Sequence, residues 1–565
     1  MSKLLVCDTK MIDKIQTKFD NLIGTYNSNI KKLFLDFVKR GYTPESIGEY
    51  FERSLEEFER KNKGQYYTPK VIVEYIISQL DITEDSKILD PACGCGSFLL
   101  TVFDIFKKRF GTHFLKNIFG VDINDNAVNM TRLCLYMNSG FNDNYIDVIR
   151  NNIKTGNCIV SRRDIDKNAF DWYQEFSEVM TDGGFDFIIG NPPYITLTKL
   201  KDFDPSESIY SKIIDGPVNA ATLMIGRSIE LLKQNGVLAF LLPKSILYVD
   251  SYAKLRDYLS HKAEILQIYD LGSKFRDVRG EQFILILKKR SPDLNKKVKI
   301  RVFSDKTSPL SKQSLVEIEQ GKLADINRFL TFEEIRYYDI IRKISNIGIK
   351  LNEFVNGQIF RGLPVGGNKI KNKKDNIKGE KIIRGKNITK FKIRCPFIID
   401  KNLLKKQSKA KINALRHKKV VLQNIFSSES GVIAAYDPEG ILSVDTVTNI
   451  IVSDDEKGKY LLALLSSKLI NFYIMYALFN RSKLTMHLDK SYLGLLPIVA
   501  DPDKEKLKRI LNIIDSLSED NDIDSQKTKN KEIDKIVYDL YSLNEREIKL
   551  IEEATAKLLS KRSLW

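Results

Sequence analysis

The residues with the most chemical content stand together at FDFIIGNPPY (185–194), where an apolar run ends in Asn191, Pro192, Pro193 and Tyr194. An aromatic amine is a weak nucleophile because its lone pair is delocalised into the ring. A site that makes it attack must accept both N–H hydrogens and draw the nitrogen towards tetrahedral geometry. The Asn191 side-chain oxygen and the Pro192 backbone carbonyl are two neutral acceptors suited to that task, and neither needs a shifted pKa. Tyr194 can stack on a planar aromatic substrate. The bland alternative is a proline-stiffened turn with an exposed aromatic.

A second constellation lies at DPACGCGSF (90–98), where Gly94 and Gly96 allow a sharp turn and close approach of backbone to a ligand. Asp122 follows at a distance that suits hydrogen bonds to ribose hydroxyls. Nicotinamide and flavin enzymes use similar turns, but here one residue separates the two glycines and no third follows at dinucleotide spacing. Cys93 and Cys95 invite a metal reading. Two thiolates one residue apart, with no neighbouring histidine or second pair, make a poor metal site, so no metal is expected.

Elements must hold these residues in place. KILD (87–90), NIFGVDI (117–123), FDFIIG (185–190) and GVLAFLLP (236–243) read as strands alternating with helical stretches. That alternation predicts an α/β fold with a doubly wound, mostly parallel sheet, whose ligands bind beyond the carboxyl ends of the strands. Each motif above follows such a strand. Residues 1–62 carry helical apolar spacing (Ile15, Phe19, Leu22, Ile23, Tyr26, Ile30, Phe34, Phe37) and predict a helical N-terminal unit. The sheet domain is expected over 63–300, a connector over 301–345, a separate mixed α+β domain over 346–500 and a helical segment over 501–565. Leu461–Phe479 is the most membrane-like run, but Lys468, Asn471 and serines interrupt it short of ~20 clean apolar residues. It predicts a buried helix, with no membrane partner.

The chain has 565 residues, 90 Lys plus Arg against 73 Asp plus Glu, and a net charge of +17. That surplus suits a polyanion. Residues 361–420 alone hold 20 basic residues against Asp375, Glu380 and Asp400, as large a surplus as the whole chain, although a charge run can also be only a solvated face. Six scattered cysteines show no disulfide framework, and the first residues lack a signal-like apolar stretch; a reducing cytoplasm is expected.

In this order (GQYYTP at 64–69, DPACGCGSF, GVDI, GNPPY, then a large basic C-terminal half) the motifs resemble the gamma class of DNA N6-adenine methyltransferases of restriction-modification type. The resemblance covers residues 64–290 well and the C-terminal half in general character. It implies a Rossmann-like methyltransferase domain, S-adenosylmethionine as cofactor, base flipping, and a C-terminal target recognition domain for double-stranded DNA. Residue by residue, Thr68 would hold the cofactor's methionine carboxylate, and Asp90 with Ala92, Cys93, Gly94 and Gly96 would contact its methionine moiety. Asp122 would take the ribose hydroxyls and Ile123 would pack on the adenine. In IKTGNCI (153–159), Asn157 stands where the family commonly has an acid for the cofactor's adenine amine, and its amide oxygen can accept that bond. IYDLGSKF (268–275) nominates Phe275 to pack on the flipped base opposite Tyr194, with Phe283 as fallback. Lys369, Lys371, Lys373, Lys374, Arg384, Lys386, Arg394, Lys405, Lys406, Arg416, Lys418 and Lys419 would supply phosphate contacts. A prokaryotic, nucleoid-associated location and a companion restriction endonuclease acting separately would follow. Three rivals stay open: the modification subunit of a multi-subunit restriction system, a protein-glutamine methyltransferase, and an inactive DNA-binding protein.

Overall fold

A computed structural model describes residues 18–24, 28–54, 68–197, 208–216, 218–272, 280–303, 309–331, 334–366, 370, 379–394, 396–427, 429–479, 486–520 and 522–556. The chain forms two compact units, one from residues 1–247 and 251–332, the other from 248–250 and 333–565.

The first unit is built on a nine-stranded sheet. Its strands are β1 (Ile88–Asp90), β2 (Ile118–Asp122), β3 (Ile153–Thr155), β4 (Phe185–Gly190), β7 (Leu232–Pro243), β8 (Glu264–Gly272), β9 (Gln282–Lys288), β10 (Lys297–Val302) and β11 (Leu315–Glu319); β5 (Thr196–Leu197) and β6 (Val218–Asn219) pair apart from it. Spatial order is β11-β10-β8-β9-β7-β4-β1-β2-β3. β3, β2, β1, β4 and β7 run parallel, whereas β9 lies antiparallel between β7 and β8, and β11 is an antiparallel edge. The sequence leads away from β1 in two directions, towards β2 and β3 on one side and β4 on the other. That reversal opens a crevice beyond the carboxyl ends of β1 and β4.

Helices α1 (Ser28–Lys39), α2 (Pro44–Ser54), α3 (Lys70–Ser78), α4 (Ser97–Phe110) and α5 (Asp125–Asn138) cover this part of the sheet. α2 starts on Pro44, whose missing N–H costs nothing in a first turn, and Thr43 and Ser46 exchange side-chain-to-backbone hydrogen bonds there. Phe34 and Phe37 of α1 and Ile47 and Phe51 of α2 share one apolar core with Leu99 and Phe103 of α4 and Val128 and Leu133 of α5. Residues 18–54 are therefore part of the sheet unit, not a separate body: their apolar stripe has its partner on α4 and α5. The connector expected over 301–345 also differs. Its first part is strand, since β10 and β11 extend the sheet through hydrogen-bonded pairs such as Ile300 with Val316.

In the second unit a four-stranded antiparallel sheet orders Ile359–Arg361, Val447–Ile451, Lys419–Gln423 and Ala434–Asp437, beside a three-stranded sheet of Phe397–Asp400, Gly379–Ile383 and Leu442–Ser443. Helices Lys504–Glu519, Ile523–Leu540 and Glu545–Thr555 belong to the same unit. Tyr541 donates to the Pro497 carbonyl at 2.6 Å and Lys392 to the Asp520 carbonyl at 2.6 Å, so the described helices of the C-terminal segment do not stand apart. The helix expected over Leu461–Phe479 is two, Asp455–Ser466 and Lys468–Leu478, bent by 60°. Ser467 breaks the run because its Oγ accepts from the Ile470 amide and starts a new helix. No single described helix is long and apolar enough to cross a membrane.

Candidate active site

β1 ends in Asp90, and the chain turns through Gly94 (φ 51°) and Gly96 (φ 85°) into α4. Such backbone favours glycine, and a Cβ at Gly96 would lie 2.9 Å from the Thr131 methyl. Asp90 is buried and accepts from the Ala92 amide at 3.0 Å; Cys93 N donates to the Val121 carbonyl at 3.0 Å. At the end of β2, the buried Asp122 accepts from the Gly94 amide at 2.9 Å and the Asn124 amide at 2.8 Å. The carboxylate and the glycine loop are thereby locked together, and Ile123, the next residue, leaves 55% of its surface in the open. An exposed isoleucine beside a buried acid at a strand end fits one face of a nucleoside: the acid for hydroxyls, the alkyl chain for the base. Burial, reinforced by the charges of Asp122 and Asp90, raises the Cys93 thiol well above its usual range, and burial raises Cys158 as well. Both stay protonated. Among the described residues no group of three or more His, Cys, Asp or Glu could hold a metal ion.

β4 delivers the second half of the site. Gly190 ends the strand with φ 152°, and a Cβ there would sit 2.7 Å from the Asp90 carboxylate, so the two motifs touch across the crevice. Asn191 Nδ2 donates to Thr68 Oγ1 at 3.1 Å, which brings the buried Thr68 of the GQYYTP segment against the tetrapeptide. Tyr194 is half-buried, and its hydroxyl reaches Asn191 Oδ1 at 2.6 Å and the Leu241 carbonyl of β7 at 3.0 Å. Gln282 of β9 donates to that hydroxyl at 3.2 Å. Burial raises the Tyr194 pKa well above the ordinary phenol value, against a smaller opposing effect of the Gln282 hydrogen bond, so the group remains a hydroxyl. Pro192 is buried beside them.

Other expected residues fare differently. Asn157 follows β3, but its amide oxygen accepts from the Ile159 amide at 3.3 Å and its Nδ2 donates to Asp166 at 2.7 Å. An acid thus stands beside Asn157 after all, brought from nine residues downstream by a loop. Phe275 lies outside the described residues. Phe283 cannot stack on a base: it is an interior residue of β9 with no exposed surface, paired with Leu242 and Asp270. Close by, just past the end of β7, Lys244 lies 2.9 Å from Asp270 and 4.0 Å from Glu281, all three buried. Gln282 and Asp166 carry no motif signal in the sequence, because neither neighbours one of the motifs.

In the second unit, Lys386, Arg394, Lys405 and Lys406 are exposed. Arg384 lies over the Phe397 ring at 4.9 Å, and Lys386 at 4.8 Å. Arg416 is exposed but paired with Glu380, and Lys418 with Asp455. Lys419 has to be withdrawn as a DNA contact, because its side chain is fully buried and bound to Asp437 at 2.6 Å and to the Leu415 carbonyl at 2.6 Å. Lys369, Lys371, Lys373 and Lys374 lie outside the described residues.

Comparison with known proteins matches residues 116–275 to the Eco57I restriction-modification methylase family and residues 380–498 to the TaqI-like C-terminal specificity domain. The type II restriction enzyme and methyltransferase RM.Eco57I of Escherichia coli is 24% identical over 349 residues, covering 53% of this chain and 34% of that protein. The type II methyltransferase M.CvrRI of Paramecium bursaria Chlorella virus XZ-6E is 26% identical over 244 residues, 43% of this chain and 52% of that one. The matched regions thus span between a third and about half the length of these relatives. Among solved structures, the type IIL restriction-modification enzyme MmeI in complex with DNA superposes with a TM-score of 0.62, covering 98% of this chain and 92% of MmeI at 12% identity. The fold is that of α/β methyltransferases.

Proposed function

We propose that this chain, which carries an Eco57I-type restriction-modification methylase domain and a TaqI-like specificity domain, is a site-specific DNA methyltransferase that modifies the N6 amine of an adenine turned out of the duplex. One observation carries the reading: at the end of β4, the Asn191 carboxamide is held between Tyr194 Oη at 2.6 Å and Thr68 Oγ1 at 3.1 Å. Its oxygen has a second lone pair for a substrate N–H, and the Pro192 carbonyl beside it can take the other hydrogen.

The loop of Asp90 and Ala92–Gly96, with Thr68, Asp122 and Ile123, would hold S-adenosylmethionine, and Asn157 with Asp166 would meet its adenine. Bound there, the cofactor supplies an activated methyl group on a sulfonium leaving group. The protein's share is positioning and hydrogen-bond acceptance. Asn191 and Pro192 draw electron density back to N6 as its hydrogens are held, and the Tyr194 ring supports the extruded base. Exposed basic residues of the second unit (Lys386, Arg394, Lys405, Lys406) would take phosphates. A specificity domain in the same chain favours a self-contained enzyme over a subunit that borrows its recognition partner. A separate nuclease that cuts unmodified copies of the same site is the partner this function implies, in a prokaryotic cytoplasm.

The test is transfer of radiolabelled methyl from S-adenosylmethionine to duplex DNA, followed by digestion to nucleosides. Label is expected in N6-methyladenine, and Asn191→Ala should reduce transfer by about 10²–10³-fold while DNA binding persists. Label confined to a polypeptide would overturn the proposal in favour of a protein-amide substrate.

A further inference from the structure

A phenol oxygen carries one hydrogen and two lone pairs. Tyr194 Oη has three neighbours within hydrogen-bond distance: Asn191 Oδ1 at 2.6 Å, the Leu241 carbonyl at 3.0 Å and Gln282 Nε2 at 3.2 Å. The first two are acceptors only, so the hydroxyl hydrogen goes to one of them. The third is a donor, and it fills a lone pair of the phenol. On its far side Asn191 Nδ2 donates to Thr68 Oγ1. Asn191 Oδ1 is the nearer of the two acceptors, and with the hydrogen on it all the donors point one way: Gln282 to Tyr194, Tyr194 to Asn191, Asn191 to Thr68. Hydrogen bonds aligned in this manner polarise and strengthen one another.

The direction of the chain has a consequence for the amine. A carboxamide turned over by 180° would put its NH2 against the phenol and its oxygen against Thr68. A donor would then stand where the substrate requires an acceptor. Gln282 disfavours that state, because a hydroxyl oxygen that already accepts one hydrogen bond donates its own hydrogen more strongly and accepts a second bond more weakly. Gln282 is rigidly placed for this. It is 2% exposed, it is the first residue of β9 and pairs with Pro243 of β7, and the preceding Glu281 accepts from the Lys244 amide at 2.9 Å.

We infer that Gln282 is a positioning residue that sets the orientation of the Asn191 carboxamide through the hydroxyl of Tyr194. The inference rests on the methyl-transfer function proposed above. Gln282→Met keeps the length of the side chain and removes the donor. It should lower kcat about five- to ten-fold, the scale of one hydrogen bond of about 1 kcal/mol, with KM for DNA and cofactor binding changed less than about two-fold. In a Tyr194→Phe background, where the hydroxyl is gone, the same substitution should change kcat by less than about two-fold. A structural role would instead lower the thermal midpoint and act equally in both backgrounds. Equal losses in the two backgrounds, or an unchanged kcat in the single variant, overturn the inference. If Gln282→Met yields no folded protein, the cycle is run with Gln282→Glu, which accepts the hydroxyl hydrogen and pulls it from Asn191; a loss of at least ten-fold that disappears without the hydroxyl is expected, and a loss that persists overturns the inference. Should the wild-type protein place no label on adenine, the functional reading fails before this one is reached.

Discussion

Gly190 shows how little room the chemistry leaves at single residues. Its φ of 152° and the 2.7 Å between a built Cβ and the Asp90 carboxylate mean that any side chain must displace the acid at the end of β1. Gly190→Ala is expected to cost about 1–3 kcal/mol of stability and to weaken S-adenosylmethionine binding more than it weakens DNA binding. Calorimetric titration of both ligands checks this, and an unchanged cofactor affinity would mean that Asp90 does not face it. Asn191, Pro192, Tyr194 and the Gly94–Gly96 turn were legible in the sequence as candidates because each set is contiguous. Gln282 and Asp166 were not. Each reaches the site through tertiary placement, one from the first position of a strand and the other across a loop, and neither side chain is chemically distinctive alone. Lys419 went wrong for the opposite reason: a charge in a basic run says nothing about burial, and this lysine faces Asp437 inside the second unit.

At the level of elements, β1, β2 and β4 stand within a residue or two of where the apolar runs predicted them, because short apolar segments closed by Gly or Asp have sharp ends. Whether a strand runs parallel is not written in its apolar pattern, so β9, reversed between β7 and β8, could not be foreseen. Nor could the packing of helix Ile523–Leu540 around a carboxyl. Asp534 of that helix is buried, caps the Lys468 amide at 2.7 Å, and has its pKa raised to about 6. Burial is the main cause, opposed by the Lys468 hydrogen bond and the charges of Lys390 and Lys468, and assisted by Glu552. Burial also lowers Lys390 to about 8. The unfolded carboxyl titrates near 4, so between about pH 4 and 6 the folded protein holds a proton that the unfolded chain has released. This group's contribution to stability is fully present below about pH 4 and is lost as the pH rises through 6. Asp534→Asn removes the titration, and Lys390, lowered only to about 8, keeps its charge over that range. The stability of the variant relative to wild type should therefore climb from pH 4 to 6, by on the order of 2–3 kcal/mol, in denaturant unfolding at stepped pH. A flat difference would show that Asp534 ionises normally in the folded state.

For the whole molecule the surplus of +17 sets an expectation that no single residue can. Of the basic residues that the sequence placed on DNA, Lys386, Arg394, Lys405 and Lys406 are exposed, whereas Arg416 and Lys418 are partly neutralised by Glu380 and Asp455. Each lysine or arginine that displaces a condensed counterion from duplex DNA contributes about 0.9 to the slope of log affinity against log salt. Neutralising the four exposed residues together should reduce that slope by up to about 3–4, equally on cognate and unrelated duplexes, because phosphates carry no sequence. Lys419→Met provides the contrast. It should leave the slope alone but strand the buried Asp437 carboxylate, at about 3–5 kcal/mol of stability. Fluorescence anisotropy across a salt series, paired with denaturant unfolding, separates the two effects. A slope that survives the four-fold neutralisation would move the phosphate contacts to another face of the protein, and a slope that falls with Lys419→Met alone would mean that the buried pair opens when DNA binds.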